Sequence, residues 1–423
     1  MSSPAESLDS RTSSQTMGGI DRFLRAQLHA RLSRLRGGQI LIQDPDGNTL
    51  LGDASAPQAL RVSLRVHHPD FYRQVASHGS VGAGEAYIDR AWDSDDLVGL
   101  VRLLVRNRDL LDGVESGMAR IGGVAMKAWH SLQRNTRSGS RRNISAHYDL
   151  GNEFFSLFLD SSMMYSSAMF AMGDSLEQAS QRKLDRICQK LDLRPGDHLV
   201  EIGTGWGGMA LHAAQEFGCR VTTTTISREQ HALASKRIQD AGLGERVTVL
   251  LEDYRDLQGE YDKLVSIEMI EAIGHQYLDT YFAKCASLLR ANGIALVQAI
   301  TIEDDRYQQA LRSVDFIKRH VFPGSFIPCV NAMVDAAARA GKLRLVNLED
   351  FGDSYATTLN HWRSRFLSRL DQVRAQGYDE RFIRLWEFYL CYCEGGFLER
   401  SISDVQLLFA RGGNRRDQYL PGL

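Results

Sequence analysis

The chain has 423 residues, of which 43% are hydrophobic and 24% are charged, so it is long enough for two or three globular domains. With 50 Lys and Arg against 52 Asp and Glu, the formal net charge is −2, which excludes nucleic-acid binding driven by overall positive charge. No apolar run approaches the roughly 18 residues of a membrane span. The six cysteines lack the paired spacing of a zinc site or a disulfide framework. We therefore expect a cytoplasmic protein with reduced cysteines, no metal and no nucleic-acid partner.

The start of the chain is polar and serine-rich without the apolar core of a signal peptide, so residues 1–18 are predicted to form a disordered tail. Residues 20–36, IDRFLRAQLHARLSRLR, follow with a helical period. One face of this helix is predicted to carry the apolar side chains of Ile20, Phe23, Leu24, Leu28, Leu32 and Leu35. Such a helix packs on its own domain or docks at an anionic membrane surface through its arginines, and the pattern leaves both open.

Two runs with alternating polarity, 38–52 and 58–66, follow this helix, and the first contains an Asp-Gly turn signal. They predict a small sheet, and with the helix they define a smaller α+β N-terminal domain over residues 19–115. The stretch RNTRSGSRRN then clusters Gly, Ser and Arg without apolar periodicity. It predicts a basic interdomain linker over residues 116–143.

From residue 185 onward, short apolar or β-branched runs alternate with helical stretches. The predicted strands are HLVEIG, CRVTTTTIS, RVTVLLED, DKLVSIEM and GIALVQAITI, and the predicted helices are 206–217, 228–241 and 275–289. Such alternation predicts an α/β fold with a doubly wound parallel sheet and helices on both faces. A late run, DVQLLFAR (404–411), is predicted to add an edge strand.

A glycine-rich turn follows the first of these strands, with Gly203, Gly205, Gly207 and Gly208 in six residues. It is not a GxxxxGK[ST] phosphate loop, and residues 222–226 lack the acid that a dinucleotide site places on the second strand. Glu201 and Asp253, at the ends of the first and third strands, better fit the amino-acid and adenine ends of S-adenosylmethionine (SAM). A purely structural glycine turn remains open at this stage.

Six motifs occur in one order along the chain: NISAHYDLGNEFFSLFLDSSMMYSSAMF (143–170), VEIGTGWGG (200–208), TISREQ (225–230), EMIEAIG (268–274), FPG (322–324) and CEGGF (393–397). With these motifs the chain resembles the cyclopropane-fatty-acyl-phospholipid synthase family of SAM-dependent enzymes, which includes the mycolic acid cyclopropane synthases. The resemblance covers about residues 144–411. A weaker one over 79–97 is similar to the N-terminal lipid-engaging domain of the bacterial phospholipid enzymes.

The resemblance implies a Rossmann-like class I methyltransferase fold for residues 144–423, with an insertion at about 301–400 that forms an acyl pocket. Its residues implied to bind SAM are Tyr165, Ser166, Gly203, Gly205, Thr225, Ile226, Gln230, Asp253 and Tyr254, beside Glu201. It also implies that the N-terminal domain engages a phospholipid membrane at its inner face. A homodimer is an expectation by analogy only.

The family's reaction moves a methyl group from SAM to a cis double bond of an acyl chain and leaves a carbocation. A base then removes a proton from the new methyl group, and the three-membered ring closes. In the family that base is thought to be a bound bicarbonate ion. Its implied contacts here are Glu271, Tyr355 and the backbone of Ile300, with Ser167 in place of the family's cysteine and Gln298 in place of its histidine.

These two departures affect the expected product. Serine and glutamine can hydrogen-bond an anion, but glutamine cannot share a proton at pH 7 as histidine can. We expect formation of a cyclopropane fatty acid in a phospholipid, with bicarbonate as a possible second cofactor. The alternatives are a methylated or methylene-branched acyl chain, methylation of a soluble small molecule, and a silent lipid-binding protein.

Four further residues have side chains whose chemistry could serve the site, and each has a predicted role. Cys393 has no partnering base nearby in sequence and is predicted to pack, and His147 is predicted to be a hydrogen-bonded structural residue. Glu268 is predicted to end the fourth strand and to be secondary to Glu271. Trp206 either stacks near the adenosine of SAM or packs under the glycine turn.

Overall fold

The computed structural model of the chain describes residues 17–112 and 150–415. Residues 1–16 of the predicted tail, the predicted linker and His147 lie outside the described residues. The chain divides into two compact units, Met1–Ala119 and Arg120–Leu423. Each unit is described by itself below.

The first unit contains a four-stranded sheet, in agreement with the small α+β domain predicted for this part of the chain. Its elements are α1 (Gly19–Leu32), β1 (Gly38–Asp44), β2 (Gly47–Asp53), β3 (Leu60–Val66), α2 (Asp70–Ile88), β4 (Trp92–Ser94), α3 (Leu97–Arg106) and α4 (Arg108–Asp112). The strand order is β2-β1-β3-β4. The β1–β2 pair is an antiparallel hairpin in which Asp44 lies opposite Gly47, so the Asp-Gly signal marks the turn as predicted.

Helix α1 buries only part of its predicted apolar face. Leu32, near its end, and Leu35, just beyond it, are buried in the unit. Ile20 and Phe23 in the first turns are 70% and 62% exposed. The apolar face therefore packs on its own unit at one end and faces outward at the other.

The second unit is built on a seven-stranded sheet flanked by helices. Its elements are α5 (Asn152–Ser156), α6 (Leu176–Leu191), β5 (His198–Ile202), α7 (Gly208–Glu216), β6 (Arg220–Thr225), α8 (Arg228–Asp240), β7 (Val247–Leu251), β8 (Tyr261–Ile267), α9 (Leu278–Leu288), β9 (Leu289–Ile302), α10 (Asp304–Arg312), α11 (Phe316–His320), α12 (Val330–Gly341), β10 (Arg344–Asp350), α13 (Gly352–Ser368), α14 (Leu370–Ala375), α15 (Glu380–Leu398) and β11 (Ile402–Ala410).

The sheet order is β10-β11-β9-β8-β5-β6-β7. The five strands from β7 to β9 pair in parallel, whereas β11 is antiparallel to both β9 and β10. The five predicted strands and the doubly wound α/β class are thus confirmed. The prediction of an edge strand over 404–411 is wrong in position, because β10, which was not predicted, forms that edge outside β11.

Alternate residues of the central strands point into two separate cores, which is why the sheet is covered on both faces. Val200, Ile202 and Leu264 pack in one core with residues of α9 and α12. Leu199 and Val265 pack in the other core with residues of α6 and α7. The period of two along each strand therefore sets which helices cover which face.

The segment 301–400 is not one insertion, which corrects the predicted boundary. In its middle, α12 packs beside α9 and β10 joins the sheet, so both belong to the methyltransferase-like core. The parts outside the sheet layer are α10 with α11, and α13 to α15. The sequence of β10, RLVNLED, is short and largely polar, and for this reason the strand was not predicted.

The strand order reverses between β5 and β8, which are neighbours in the sheet although four elements separate them in the chain. In an open parallel sheet, ligands bind at the carboxyl ends of the strands where the order reverses. Those ends carry Gly203 after β5 and Glu268 after β8. The topology therefore locates the candidate site.

Candidate active site

The turn after β5 requires glycine for two reasons: its backbone has positive φ, and a side chain would come too close to a neighbouring residue. Gly203 has φ +102°, and a Cβ there would lie 3.2 Å from the Cγ atom of Met269. Gly205 has φ +52°, in the left-handed region that favours glycine. The turn leads into α7 and keeps side chains away from its inner surface, which fits the close approach of a bound ligand.

Glu201, the second-last residue of β5 before this loop, is 2% exposed. Its Oε2 atom is buried and has no hydrogen-bond partner among the residues that the structure describes. Burial raises the pKa of Glu201 to about 8, with a hydrogen bond from Thr223 acting in the opposite direction. A buried carboxyl oxygen that lacks a donor fits the predicted role of binding an ammonium group.

The predicted ribose-side residues lie at the end of β6 and the start of α8. Ser227 caps α8 by accepting a hydrogen bond from the Gln230 backbone N–H. This cap brings Gln230 back toward the strand, where its Oε1 atom accepts a 2.8 Å hydrogen bond from the Thr225 hydroxyl. Ile226, between them, is partly exposed. The TISREQ motif is therefore a strand end plus a helix cap that sets two polar side chains together.

Asp253 and Tyr254 follow β7 as predicted, but the Asp253 side chain is already engaged. Both of its carboxylate oxygens accept hydrogen bonds from the Arg255 guanidinium, at 2.8 and 2.6 Å. That guanidinium lies 5.6 Å from the centre of the Tyr254 ring. The Tyr254 hydroxyl is buried and has no partner within the described part of the chain, and burial raises its pKa. Asp253 therefore positions Arg255 and leaves Tyr254 as the polar group available to a ligand.

Tyr165 lies in a cluster of aromatic side chains from α5, α13 and α15. Its ring centre is 5.1 Å from that of Phe155 and 5.3 Å from that of Trp362. Its hydroxyl is 2.9 Å from the Tyr389 hydroxyl. Because Tyr165 is partly exposed while Phe155 and Trp362 are buried, it forms the outer member of an apolar wall beside the site.

Ser166 is held from behind by a buried lysine that the sequence did not single out. The Lys183 Nζ atom on α6 donates a 2.6 Å hydrogen bond to the Ser166 Oγ atom, and Lys183 is fully buried. Because an ammonium group only donates, the serine hydroxyl keeps its own proton for a ligand. Burial lowers the pKa of Lys183, and the negative charges of Glu268, Asp160, Asp404 and Glu201 oppose that shift.

The side chain of Glu268 lies at the centre of the groups predicted to hold bicarbonate. Its Oε1 atom accepts hydrogen bonds from the Ser167 backbone N–H at 2.8 Å and from the Gln298 Nε2 atom at 2.9 Å. Its Oε2 atom accepts one from the Tyr355 hydroxyl at 2.8 Å. The Ser167 hydroxyl donates to the neighbouring carbonyl of Ala168 and does not face this cluster. These donors are engaged by Glu268 and do not fit an additional bicarbonate ion.

Glu268 also has φ +46°, a backbone conformation that glycine adopts far more readily than glutamate. The predicted position of Glu268 after the fourth strand is confirmed. Its predicted rank as secondary to Glu271 stays a prediction, and Glu268 contacts three of the expected site residues, Ser167, Gln298 and Tyr355.

Glu271 lies three residues further on, and it binds the backbone of Ile300, whereas the resemblance implied that both groups contact bicarbonate. Its Oε1 atom accepts a 2.7 Å hydrogen bond from the Ile300 backbone N–H. Its Oε2 atom is buried, and no residue in the ranges 17–112 and 150–415 hydrogen-bonds to it. Burial and the nearby charge of Glu268 raise the pKa of Glu271 to about 8. Two carboxyl groups with different surroundings thus lie at the end of β8.

A fully buried polar layer supports Glu268 from the β11 side. The Gln298 Nε2 atom donates to both Glu268 and the Asp404 Oδ2 atom, and its Oε1 atom accepts from the Gln406 Nε2 atom. Burial, followed by the charge of Glu268, raises the pKa of Asp404 well above its usual range. Sequence reasoning missed Lys183, Asp404 and Gln406, although a polar residue inside an apolar strand or on the apolar face of a helix is a usable signal.

The structure decides the open alternative for Trp206 and agrees with the prediction for Cys393. Trp206 is buried, donates a 2.6 Å hydrogen bond from Nε1 to the Asn152 Oδ1 atom, and packs on the Phe155 ring. It therefore packs under the turn. Burial raises the pKa of the Cys393 thiol far above neutrality, which agrees with a packing role and opposes a nucleophilic one.

The sheet order, the glycine turn at the switch point and the polar groups around it define a class I SAM-dependent methyltransferase. Residues 135–407 match the profile of the mycolic acid cyclopropane synthetase family, and the chain belongs to that family.

Individual proteins are similar over most of the chain. Tuberculostearic acid methyltransferase UfaA1 of Mycobacterium tuberculosis is 37% identical over 360 residues, which cover 83% of this chain and 84% of that protein. Cyclopropane-fatty-acyl-phospholipid synthase of Escherichia coli K12 is 36% identical over 367 residues, which cover 85% and 90%. The solved structure of mycolic acid cyclopropane synthase CmaA1 with SAH and CTAB matches with a TM-score of 0.60 and 27% identity, covering 64% of this chain and 98% of that one.

Proposed function

We propose that this enzyme transfers a methyl group from SAM to the cis double bond of an unsaturated acyl chain in a phospholipid and forms a cyclopropane fatty acid. The observation that carries this proposal is the pair of carboxyl groups, Glu268 and Glu271, beside the turn of Gly203. Methylation of an alkene leaves a carbocation that must lose a proton, so it requires a base at the site. The family membership and the relatives reported above support the same class of substrate.

The residues around the turn fit SAM. Glu201 would bind its ammonium group, Ser166 would donate to its carboxylate, and Thr225 with Gln230 would contact its ribose. When bound, SAM supplies an electrophilic methyl group and keeps the bonding electron pair on its sulfur.

The aromatic wall around Tyr165 is proposed to line the path of the acyl chain. An alkene is a weak nucleophile, so its productive reaction depends on alignment and on the exclusion of water. The rings of Phe155, Trp362 and Phe322 lie within 6.5 Å of the Tyr165 ring, centre to centre. Apolar rings in this arrangement supply a dry surface next to the carboxyl groups.

The first unit is proposed to bind the phospholipid surface at the inner face of the membrane. Ile20 and Phe23 are exposed on α1, and the arginines Arg22 and Arg34 of the same segment are exposed as well. Apolar side chains flanked by arginine suit an interface with anionic headgroups. No helix in the described ranges is long and apolar enough to cross a bilayer.

Incubation with SAM and liposomes of cis-monounsaturated phospholipid tests the proposal. Mass spectrometry of the released fatty acids should show the added CH2, and proton NMR should show upfield cyclopropane protons. Liposomes of saturated phospholipid are the control and should gain no mass. The absence of added mass with every cis-unsaturated phospholipid tested would contradict the proposal.

An acyl chain that carries a methyl group on its double bond, or a methylene branch, is the second candidate. It is favoured by Gln298, which cannot share a proton, and by similarity to the tuberculostearic acid methyltransferase. If the cation loses its proton from another position, the same CH2 mass appears with olefinic proton signals and without ring protons. The NMR spectrum therefore distinguishes the two products.

A further inference from the structure

Glu268 occupies the position at which three donors of the site converge. We propose that the Glu268 carboxylate is the base of the reaction and replaces a bound bicarbonate ion, so that this enzyme works without bicarbonate. The inference rests on the proposed function for its chemistry and on contacts within this chain for its geometry.

Three donors of the site use three of the acceptor directions of Glu268. An ionised carboxylate has about four lone-pair sites on its two oxygens. Oε1 uses two of them for Ser167 and Gln298, and Oε2 uses one for Tyr355. The Asp404 carboxyl also shares a side-chain hydrogen bond with Glu268. The proton is assigned to the second lone pair of Oε2, beside the one that Tyr355 uses.

The backbone at Glu268 supports a functional role for its side chain. A non-glycine residue with positive φ is uncommon, and such strained positions cluster at functional sites. Glycine would relieve the strain at φ +46° but would remove the carboxylate. The side chain is held in this conformation by three hydrogen bonds from residues that are distant in sequence.

The charges around Glu268 oppose a second anion. Glu271 and Asp404 interact electrostatically with Glu268, and Lys183 is the buried ammonium group that opposes them within the described residues. Because the charge of Glu268 already raises the pKa of both Glu271 and Asp404, a bicarbonate ion beside Glu268 would meet the same electrostatic repulsion. A carboxylate that belongs to the chain accepts the proton without bringing a second anion into the site.

The proton-removal step balances with Glu268 as acceptor. The π electron pair of the alkene forms the bond to the transferred methyl carbon, and the adjacent carbon becomes cationic. A C–H bond of the new methyl group then breaks, and its electron pair forms the second ring bond. The proton goes to Oε2 of Glu268, which becomes a neutral carboxylic acid and later returns the proton to solvent.

The first test measures turnover of the wild-type enzyme in CO2-depleted buffer and after addition of bicarbonate. Turnover should be equal in the two conditions. Glu268→Gln, which keeps the shape but accepts no proton there, should lose about 100-fold or more in turnover, as expected for loss of a general base. Its SAM affinity by calorimetry should stay within about threefold. Wild-type turnover that requires bicarbonate, or a Glu268→Gln enzyme as active as wild type, would overturn the inference.

The second test uses Glu268→Gly, which suits the backbone and opens a space of carboxylate size. This variant should be inactive alone and should regain at least about tenfold in turnover with bicarbonate or formate. Lys342→Gly is the matched control, because Lys342 is exposed and has φ +50°. It should be fully active and insensitive to added anions, and anion rescue of this control would overturn the inference.

Binding of ¹³C-labelled bicarbonate, followed by NMR, separates this inference from the proposed function. Saturable binding should be seen with Glu268→Gly and not with the wild type. Saturable binding to the wild type that competes with SAM-site ligands would overturn the replacement of bicarbonate even if no lipid product were found. Failure of the wild type on all lipids, with this binding pattern intact, would contradict the proposed function alone.

Discussion

At the scale of single residues, Lys183 interacts both with the residues predicted to bind SAM and with the carboxyl groups at the end of β8. Its ammonium group contacts Ser166 on the SAM side and interacts electrostatically with Glu201 and Glu268. A buried charge is tolerated because opposite charges and hydrogen bonds offset its desolvation. Its removal therefore leaves buried carboxylates without compensation.

We predict that Lys183→Met lowers the free energy of unfolding by about 3–5 kcal/mol, the usual cost of breaking a buried charge pair. SAM binding should weaken as well, because Ser166 loses its donor. Urea unfolding and calorimetry measure the two effects. Lys236→Met is the control, since Lys236 is exposed and pairs only with Asp240 four residues away. Equal stability of Lys183→Met and the control would contradict the prediction.

The raised pKa of Glu201 predicts a pH dependence of stability. The folded protein holds this proton with a pKa of about 8, against about 4.5 for an ordinary glutamate. Between those values the folded state binds more protons than the unfolded chain, so the free energy of unfolding falls as pH rises. The slope is up to about 1.4 kcal/mol per pH unit for one group, and it ends above about pH 8.

Glu201→Gln should remove its share of that slope, while Glu271, with a similarly raised pKa, keeps its own. Urea unfolding between pH 5 and pH 9 measures the slope for both proteins. An unchanged slope in Glu201→Gln would show that Glu201 is ionised in the folded protein across this range.

At the scale of elements, α13 links the base cluster to the segment that carries Tyr165. Tyr355 on this helix binds Glu268. One turn later the fully buried Thr358 accepts a 3.0 Å hydrogen bond from the Ala168 backbone N–H. The helix thereby holds residues 165–168 in register with β8.

We predict that Thr358→Val destabilises the protein by about 1–3 kcal/mol, because the buried N–H of Ala168 loses its acceptor. Turnover should fall with it, since the Ser167 N–H that binds Glu268 lies in the same segment. Thr357→Val is the matched control and should change stability by less than about 0.5 kcal/mol, because Thr357 is exposed. Equal stability of the two variants would contradict this role for α13.

At the scale of the whole molecule, the first unit and the second unit are proposed to divide the work between membrane binding and chemistry. The exposed side chains of Ile20 and Phe23 are the feature of the first unit that favours the membrane surface. Insertion of one such side chain into an apolar phase is worth about 1.5–3 kcal/mol.

We predict that Ile20→Ser with Phe23→Ser weakens binding to anionic phospholipid vesicles at least about tenfold in a sedimentation assay. The SAM affinity should be unchanged, because both residues lie in the first unit. Met172→Ser is the control, since Met172 is fully exposed in the second unit. Vesicle binding of the double variant equal to that of wild type would exclude this surface as the membrane contact.

Much of the second unit follows from the sequence because the relevant signals are local. A period of two marks strands, a longer period marks helices, and Gly203 and Gly205 mark a turn that needs positive φ. Family motifs then locate Tyr355, Glu271 and Gln298 as parts of one site. These residues do come together around the end of β8. The alternation predicted the central strands and their parallel direction, but not their order in the sheet.

The length and alternation of the chain by themselves determined the α/β class, the five central strands and the glycine turn. Only the tertiary structure decided that Glu268 receives the donors expected for an anion, because its partners Ser167, Gln298 and Tyr355 lie 101, 30 and 87 residues away in the chain. It also decided that β10 forms the edge of the sheet with β11 as its inner neighbour, and that Lys183 and Asp404 are buried. Local periodicity reports which side chains are buried, whereas the partner of a buried charge depends on which distant strands and helices become neighbours.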